Sequence, residues 1–309
     1  LQQILFIFVD GVGLGERDPE VNPFLRARLP TLHRLLDGAP VAAADAPIST
    51  RAATLVGVDA TLGVPGLPQS GTGQAALLTG ENAPRLFGRH YGPWVPTPLR
   101  PLVAERSILA RRVAAGQEVA FANAYPEEVL RTPPPGTRDR SPLRAGPPLA
   151  ARAAGLLNRH TPELERGDAV ASELTNESWR ERLGRTTLPR ITPHQAGENL
   201  ARIAAVHHFT LFAHYATDTA GHTGEMAAAV TALERFDEFL GGVLAALPPE
   251  VLLLVTSDHG NIEDIRAGHT RNPALLLAVG PGHGEVVRGV GELTGVVGSA
   301  LGDIRTRRE

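Results

Sequence analysis

The chain contains no cysteine and no lysine, a single methionine, and few aromatic residues, 5% of its 309 positions. Without cysteine there are no disulfides, no thiolate nucleophile and no zinc–thiolate site, and a cytoplasmic protein is the expectation. Without lysine, Schiff-base chemistry and a P-loop lysine are excluded, because all 30 basic side chains are arginine. Any cation that meets a substrate must therefore be arginine, protonated histidine or a metal ion. No apolar run approaches the roughly 18 residues of a membrane-spanning helix. A formal net charge of −3 argues against nucleic acid and anionic membrane surfaces as partners.

What is present is ordinary globular material, 42% hydrophobic and 20% charged, enough to bury a sizeable core. Short apolar runs at 3–9 (QILFIFV), 118–122, 209–213, 251–256 and 274–279 read as buried strands. Helical spacing of apolar residues fills 30–36, 195–207, 225–247 and 292–301, and a helix is expected from about Gly71 or Thr72. The alternation makes an α/β core. It fails between 125 and 195, where Pro133-Pro134-Pro135-Gly136 and a dense set of arginines (Arg131, Arg138, Arg140, Arg144, Arg152) stand instead. We read that segment as an inserted cap, with 1–124 and 196–309 forming the core. The cap arginines read as solvated surface, or as contacts to a charged substrate.

Chemistry-bearing residues fall at the predicted strand ends. Asp10 follows the first strand, ahead of a GxGxG run whose spacing is wrong for dinucleotide binding. Asp258 and His259 follow the strand at 251–256, and His269 comes ten residues after His259. Carboxylate and imidazole at a strand mouth suit a divalent metal, although Asp and His also occur in solvated turns. Asp218 and His222 have D-x-x-x-H spacing and face one ion if they share a turn, although Gly221 argues against a regular helix there. Ser70 precedes a helix, either as a simple N-cap or as a hydroxyl beside N–H groups that hold a phosphate. No histidine lies near it in sequence to act as its base. His207, His208 and His214 read as core or rim, and His90 and His283 as surface.

These residues carry a resemblance. FVDGVG at 8–13, QSGTGQAALLTG at 69–80, DTAGHTG at 218–224, SDHGN at 257–261 and GHTRNP at 268–273 are similar to motifs of the alkaline phosphatase superfamily. The nearest branch is that of cofactor-independent phosphoglycerate mutase and phosphopentomutase. The resemblance implies one metal at Asp218, His222 and His269. It implies a second at Asp10, Asp258 and His259, with Ser70 bridging toward it as nucleophile and Thr72 as runner-up. Sulfatase motifs are not matched, since Ser70-Gly71-Thr72-Gly73-Gln74 lacks the proline or alanine and the arginine of that branch.

The expectation is thus a three-layer αβα sandwich with a mostly parallel sheet and a small inserted cap. It would hold two divalent ions, Mn²⁺ or Zn²⁺, and act on a small phosphorylated substrate. Gly71 and Arg89 are candidate substrate contacts, with backbone N–H groups from Gly71 onward free for a phosphoryl oxygen. A phosphohydrolase working through a phosphoserine is the first reading, because the insert is far smaller than the mutase's. A phosphomutase is the second, and a metal-binding protein without turnover the third.

Overall fold

A computed structural model of the chain describes residues 2–130, 142–266 and 268–301. Its centre is a seven-stranded sheet: β1 (Ile4–Val9), β2 (Ile48–Ser49), β3 (Ala53–Val58), β4 (Val119–Phe121), β5 (Phe209–His214), β6 (Leu252–Thr256) and β7 (Ala274–Val279). The spatial order is β2-β3-β7-β6-β1-β5-β4.

Alternation along the strands explains the layering. In β1, Ile4, Phe6 and Phe8 belong to one buried cluster and Leu5, Ile7 and Val9 to another. In β7, Ala274, Leu276 and Ala278 join the first, and Leu275, Leu277 and Val279 the second. A strand sends successive side chains to opposite faces, so a run apolar at every position must be covered on both. The helices Ser70–Thr79 and Gly146–Ala153 contribute to the first cluster, Pro193–Ala205 and Met226–Ala246 to the second. This is the three-layer α/β arrangement.

The expectation of a mostly parallel sheet holds on one side only. Strands β4, β5, β1 and β6 run parallel, whereas β7, β3 and β2 pair antiparallel. Residues 257–273 return from β6 to β7 without a helix among their described residues, so the chain doubles back. A parallel pair would need a crossover. Strands β2 and β3 are absent from the sequence reading. The run ATLVGV in β3 carries Gly57, which weakens a strand signal and here lies against Pro273 and Leu14.

The segment 125–195 is less uniform than its composition. Leu143, Ala150 and Ala151 enter the first core cluster, while Leu164, Ala169, Ala171, Trp179 and Leu188 form a small cluster of their own with Ala124. Arg131, Arg138, Arg140 and Pro133-Pro134-Pro135-Gly136 lie outside the described residues. Among the described residues no helix is long and apolar enough to cross a membrane.

The helices Pro193–Ala205 and Met226–Ala246 pack at close range through small residues. A Cβ added to Gly197 would drive into the carbonyl oxygen of Phe239 and the amide of Val243. We therefore expect Gly197→Ala to destabilise the protein by about 1–3 kcal/mol, as overpacking does, measured by urea unfolding.

Candidate metal centre

Three adjacent parallel strands end at the same edge, and that register gathers the acidic residues. Asp10 follows β1, its N–H still on the ladder at 2.9 Å from the His214 carbonyl. Asp258 and His259 follow β6. Asp218 lies in the short helix Ala216–Gly221 after β5, which does form despite Gly221, with His222 as its C-cap. The loop from β6 to β7 brings His269 back, its Nδ1 2.9 Å from the Pro68 carbonyl. Gly11 makes the approach possible: its φ is +65°, and a Cβ there would overlap the Asp218 carboxylate.

Two ligand-like groups result. Asp218, His222 and His269 form one, and Asp10, Asp258 and His259 the other, with the donor atoms of each within 4.8 Å of one another. In the first, His222 Nε2 is 3.3 Å from Asp218 Oδ2, and His269 Nε2 is 3.6 Å from Asp218 Oδ1. In the second, His259 Nε2 is 3.4 Å from Asp10 Oδ1 and 3.5 Å from Asp258 Oδ2. The rings of His259 and His269 stack with centroids 4.0 Å apart, so the two groups are neighbours.

Ser70 is not a helix cap. It is the first residue of the helix Ser70–Thr79, whose N-cap is Gln69, and its Oγ lies 3.0 Å from His259 Nε2. An imidazole does therefore stand beside the hydroxyl, brought there from 189 residues away. Its geometry is not that of a serine–histidine–aspartate triad. There the carboxylate holds the ring nitrogen remote from the nucleophile. Here His259 Nδ1 is 3.2 Å from the Gly260 carbonyl, while the serine and both carboxylates converge on the same Nε2. Three oxygens around one imidazole lone pair is a donor set for a cation.

The electrostatics agree with a cation. Asp10 Oδ1 and Asp258 Oδ2 are buried and accept no hydrogen bond among the described residues. Burial, then the charges of Asp258 and Asp218, hold the Asp10 pKa well above the carboxylate range. Burial, then Asp218, pushes Asp258 up to about 7. Burial lowers both His259 and His269, with His259 the second cause for His269. Like charges crowded out of water are what a divalent ion would neutralise, so the residues present fit the metals.

The surroundings define what can enter. A cleft of 230 Å³ is lined by Asp10, Ser70, Gln74, Asp218 and Thr219, and by the apolar or aromatic Pro93, Trp94, Tyr125, Pro142, Ala145 and Tyr215. The N–H groups of Ser70 and Gly71 have no acceptor among the described residues, as at any helix start. The Thr72 N–H is taken by the Tyr91 carbonyl at 2.9 Å, so the free donors end at Gly71 rather than beginning there. Thr72 itself is fully buried, and its Oγ1 accepts from the Tyr91 N–H at 3.1 Å. Arg89 is not among the residues lining the cleft; it is exposed, with its guanidinium 5.9 Å from the centre of the Tyr91 ring. A larger cavity of 670 Å³, lined by Arg28, Arg34, His194 and Asp237 among others, contains none of the candidate residues. Of the remaining histidines, His214 is buried, and His90, His207, His208 and His283 are half-buried.

Comparison with known proteins follows the same lines. Residues 197–308 match the model of the metalloenzyme superfamily. Over 72 residues the chain is 43% identical to the 2,3-bisphosphoglycerate-independent phosphoglycerate mutase of Rhodopseudomonas palustris, covering 20% of this chain and 14% of that one. Over 73 residues it is 44% identical to the phosphopentomutase of Deinococcus radiodurans, covering 23% and 18%. The chain thus spans less than a fifth of the length of either mutase. In fold, it superposes on the PH0037 protein from Pyrococcus horikoshii with a TM-score of 0.58 at 15% identity, over 100% of this chain and 98% of that one. It superposes on the alkaline phosphatase of the Antarctic bacterium TAB5 with a TM-score of 0.52 at 11% identity, over 99% of each. Residues 197–308 thus match the metalloenzyme superfamily, and the chain as a whole has an alkaline phosphatase-like fold.

Sequence reading passes over the residues that hold these candidate ligands in place. Gln74 Nε2 donates to Asp10 Oδ2 at 3.2 Å, and Asn261 Nδ2 to Asp218 Oδ1 at 2.6 Å. Thr217 Oγ1 donates to the Asp10 carbonyl at 2.6 Å. Glu263 is fully buried and accepts from Gly13 N–H and Asn261 N–H, both at 2.8 Å, from Thr270 Oγ1 at 2.5 Å and from Asn272 Nδ2 at 3.0 Å. The pattern GxG…NxE…TxN was the available signal, visible only once those residues are known to be close.

Two outcomes follow. Glu263→Ala strands several buried donors and should cost about 3 kcal/mol or more in chemical denaturation. The Asp258 pKa is raised on folding, so its stabilising effect on metal-free protein is present at low pH and lost as pH rises through about 7. Thermal melting in chelator should show stability falling between about pH 4 and 7, with a shallower fall in Asp258→Asn. Added divalent metal should stabilise most at the high end.

Proposed function

We propose that this protein transfers phosphoryl groups through Ser70, and that it is a phosphohydrolase. The observation that carries the reading is the convergence on one imidazole nitrogen of Ser70 Oγ and two buried carboxylates, each with one oxygen that accepts no hydrogen bond among the described residues. A serine hydroxyl is a weak nucleophile on its own. Divalent ions, Mn²⁺ or Zn²⁺, held by Asp218, His222 and His269 and by Asp10, Asp258 and His259 would supply Lewis-acid activation of the nucleophile and charge neutralisation.

The chain's own groups supply the rest. Ser70 Oγ attacks phosphorus of a small phosphomonoester, the P–O bond to the leaving alcohol breaks, and the alcohol departs carrying a proton. Water then attacks the phosphoserine, releasing phosphate and restoring the hydroxyl. The N–H groups of Ser70 and Gly71 face the developing charge at a helix start, where an anion is favoured. Thr72 serves the scaffold by tying the helix to Tyr91, which favours Ser70 as the nucleophile. The cap, residues 125–195, is proposed to shape the substrate site, since Tyr125, Pro142 and Ala145 line the cleft. A cytoplasmic location is part of the same proposal.

The second reading is a phosphomutase, favoured by the identity to two mutases over some 70 residues. In that case the phosphoryl group returns to another substrate hydroxyl instead of passing to water.

Inorganic phosphate release from a panel of phosphomonoesters, with and without added Mn²⁺ or Zn²⁺, tests the proposal. Release should require metal, stop with chelator, and fall on the order of a thousandfold or more in Ser70→Ala. Thr72→Val should retain turnover. Isomerised phosphosugar or phosphoglycerate without phosphate release would favour the mutase. Two ions per chain with neither product would favour a metal-binding protein without turnover.

A further inference from the structure

Two phenols in the cleft have no part in the chemistry so far. Tyr215 follows β5 directly, its ring edge-on to Phe8 with centroids 6.0 Å apart. Tyr125 comes from the start of the cap segment and stacks on Phe121 with centroids 6.1 Å apart. Its backbone is tied at both ends: its N–H donates to the Arg159 carbonyl at 3.0 Å, and its carbonyl lies 2.8 Å from His160 Nδ1. Both line the same cleft as Ser70 and Asp10. The Tyr215 hydroxyl is buried and makes no hydrogen bond of good geometry among the described residues, although the Tyr125 hydroxyl is near enough to interact with it. Burial, then Tyr125 and Asp10, hold its pKa well above the ordinary value, so the phenol keeps its proton.

A buried hydroxyl without a hydrogen bond of good geometry is costly, of order 1–3 kcal/mol, unless something that visits the site satisfies it. The wall it occupies faces Ser70 and the acidic cluster. An incoming phosphoryl group brings acceptor oxygens there, and their charge grows as the serine attacks. A neutral phenol is suited to that position, because another carboxylate would repel the phosphoryl oxygens.

We propose that the Tyr215 hydroxyl donates a hydrogen bond to a non-bridging phosphoryl oxygen, with Tyr125 positioning it, so that a residue at the core–cap boundary stabilises the transferring group. This rests on the phosphoryl-transfer reading above. Nothing in it requires a change of protonation. The phenol donates in both the bound and the reacting state, more strongly as oxygen charge develops.

Orthovanadate, which mimics five-coordinate phosphorus, and inorganic phosphate separate this role from a structural one. Their affinities are measured by calorimetry on metal-loaded protein, alongside kcat and KM for the best phosphomonoester. In Tyr215→Phe, vanadate affinity and kcat should each fall on the order of 10- to 100-fold, with phosphate affinity and KM changing less. Tyr125→Phe keeps the donor but loosens it and should give a smaller loss of the same kind. Thermal melting confirms that both variants fold. Equal weakening of both anions in Tyr215→Phe, or wild-type vanadate affinity, overturns the proposal while leaving Ser70 chemistry standing. A wild-type protein that binds neither anion and releases no phosphate overturns the phosphoryl-transfer reading itself, and this inference with it.

Discussion

Everything at the functional edge of this protein depends on holding buried carboxylates together without a cationic side chain among them. Asp10 and Asp258 are both almost wholly inside the protein, and Asp218 is close enough to raise the pKa of each. Such crowding is unfavourable in a medium of low dielectric. It is sustained because each residue is placed by backbone that cannot easily yield. Three parallel strands end side by side, Gly11 adopts a left-handed turn, and Glu263 ties the loops after β1 and β6 to each other through four donors. The scaffold stabilises a local arrangement that the arrangement itself opposes, and a cation held there, as proposed, would relieve that opposition.

That scaffold also explains the mixed sheet. The loop from β6 to β7 carries His269 and Thr270 back over the strand ends, and Thr270 bridges to Gly260 within it. A helical crossover would have carried those residues to the far face of the sheet. An antiparallel return keeps them at the edge where Asp258 and His259 already are. The departure from a uniformly parallel sheet is thus tied to bringing His269 to the other candidate ligands.

The cleft beside the candidate ligands has a different character from those residues themselves. Its walls include prolines and aromatic side chains drawn from the loop at Pro93 and Trp94, from Tyr125 and Pro142, and from the end of β5. Trp94 is further covered by the Arg144 guanidinium, 5.9 Å from its ring centre. A small cleft with apolar and aromatic walls lowers the local dielectric and strengthens polar contacts made inside it. In such a setting a single phenol or a pair of helix N–H groups counts for more than it would at the surface.

Much of this was legible in the chain alone. The five buried strands at 3–9, 118–122, 209–213, 251–256 and 274–279 follow from unbroken apolar runs, because both faces of the sheet are covered. Asp10, Asp218, His222, Asp258, His259 and His269 stand out by their places after those strands, and Ser70 by its place at an expected helix start and by resemblance. Tertiary structure decided what linear spacing does not encode. It set the strand order that makes β5, β1 and β6 neighbours, the direction of β7, and the short strands at 48–58 that a glycine conceals. It also decided that His259 meets Ser70, that Thr72 is occupied by Tyr91, that Arg89 does not line the cleft, and that Glu263, Gln74 and Asn261 brace the candidate ligands. The physical reason is the same in each case. Strand and helix patterns arise from neighbours in sequence, whereas a buried hydrogen bond or a shared charge is settled by whichever distant residues packing brings within about 3 Å.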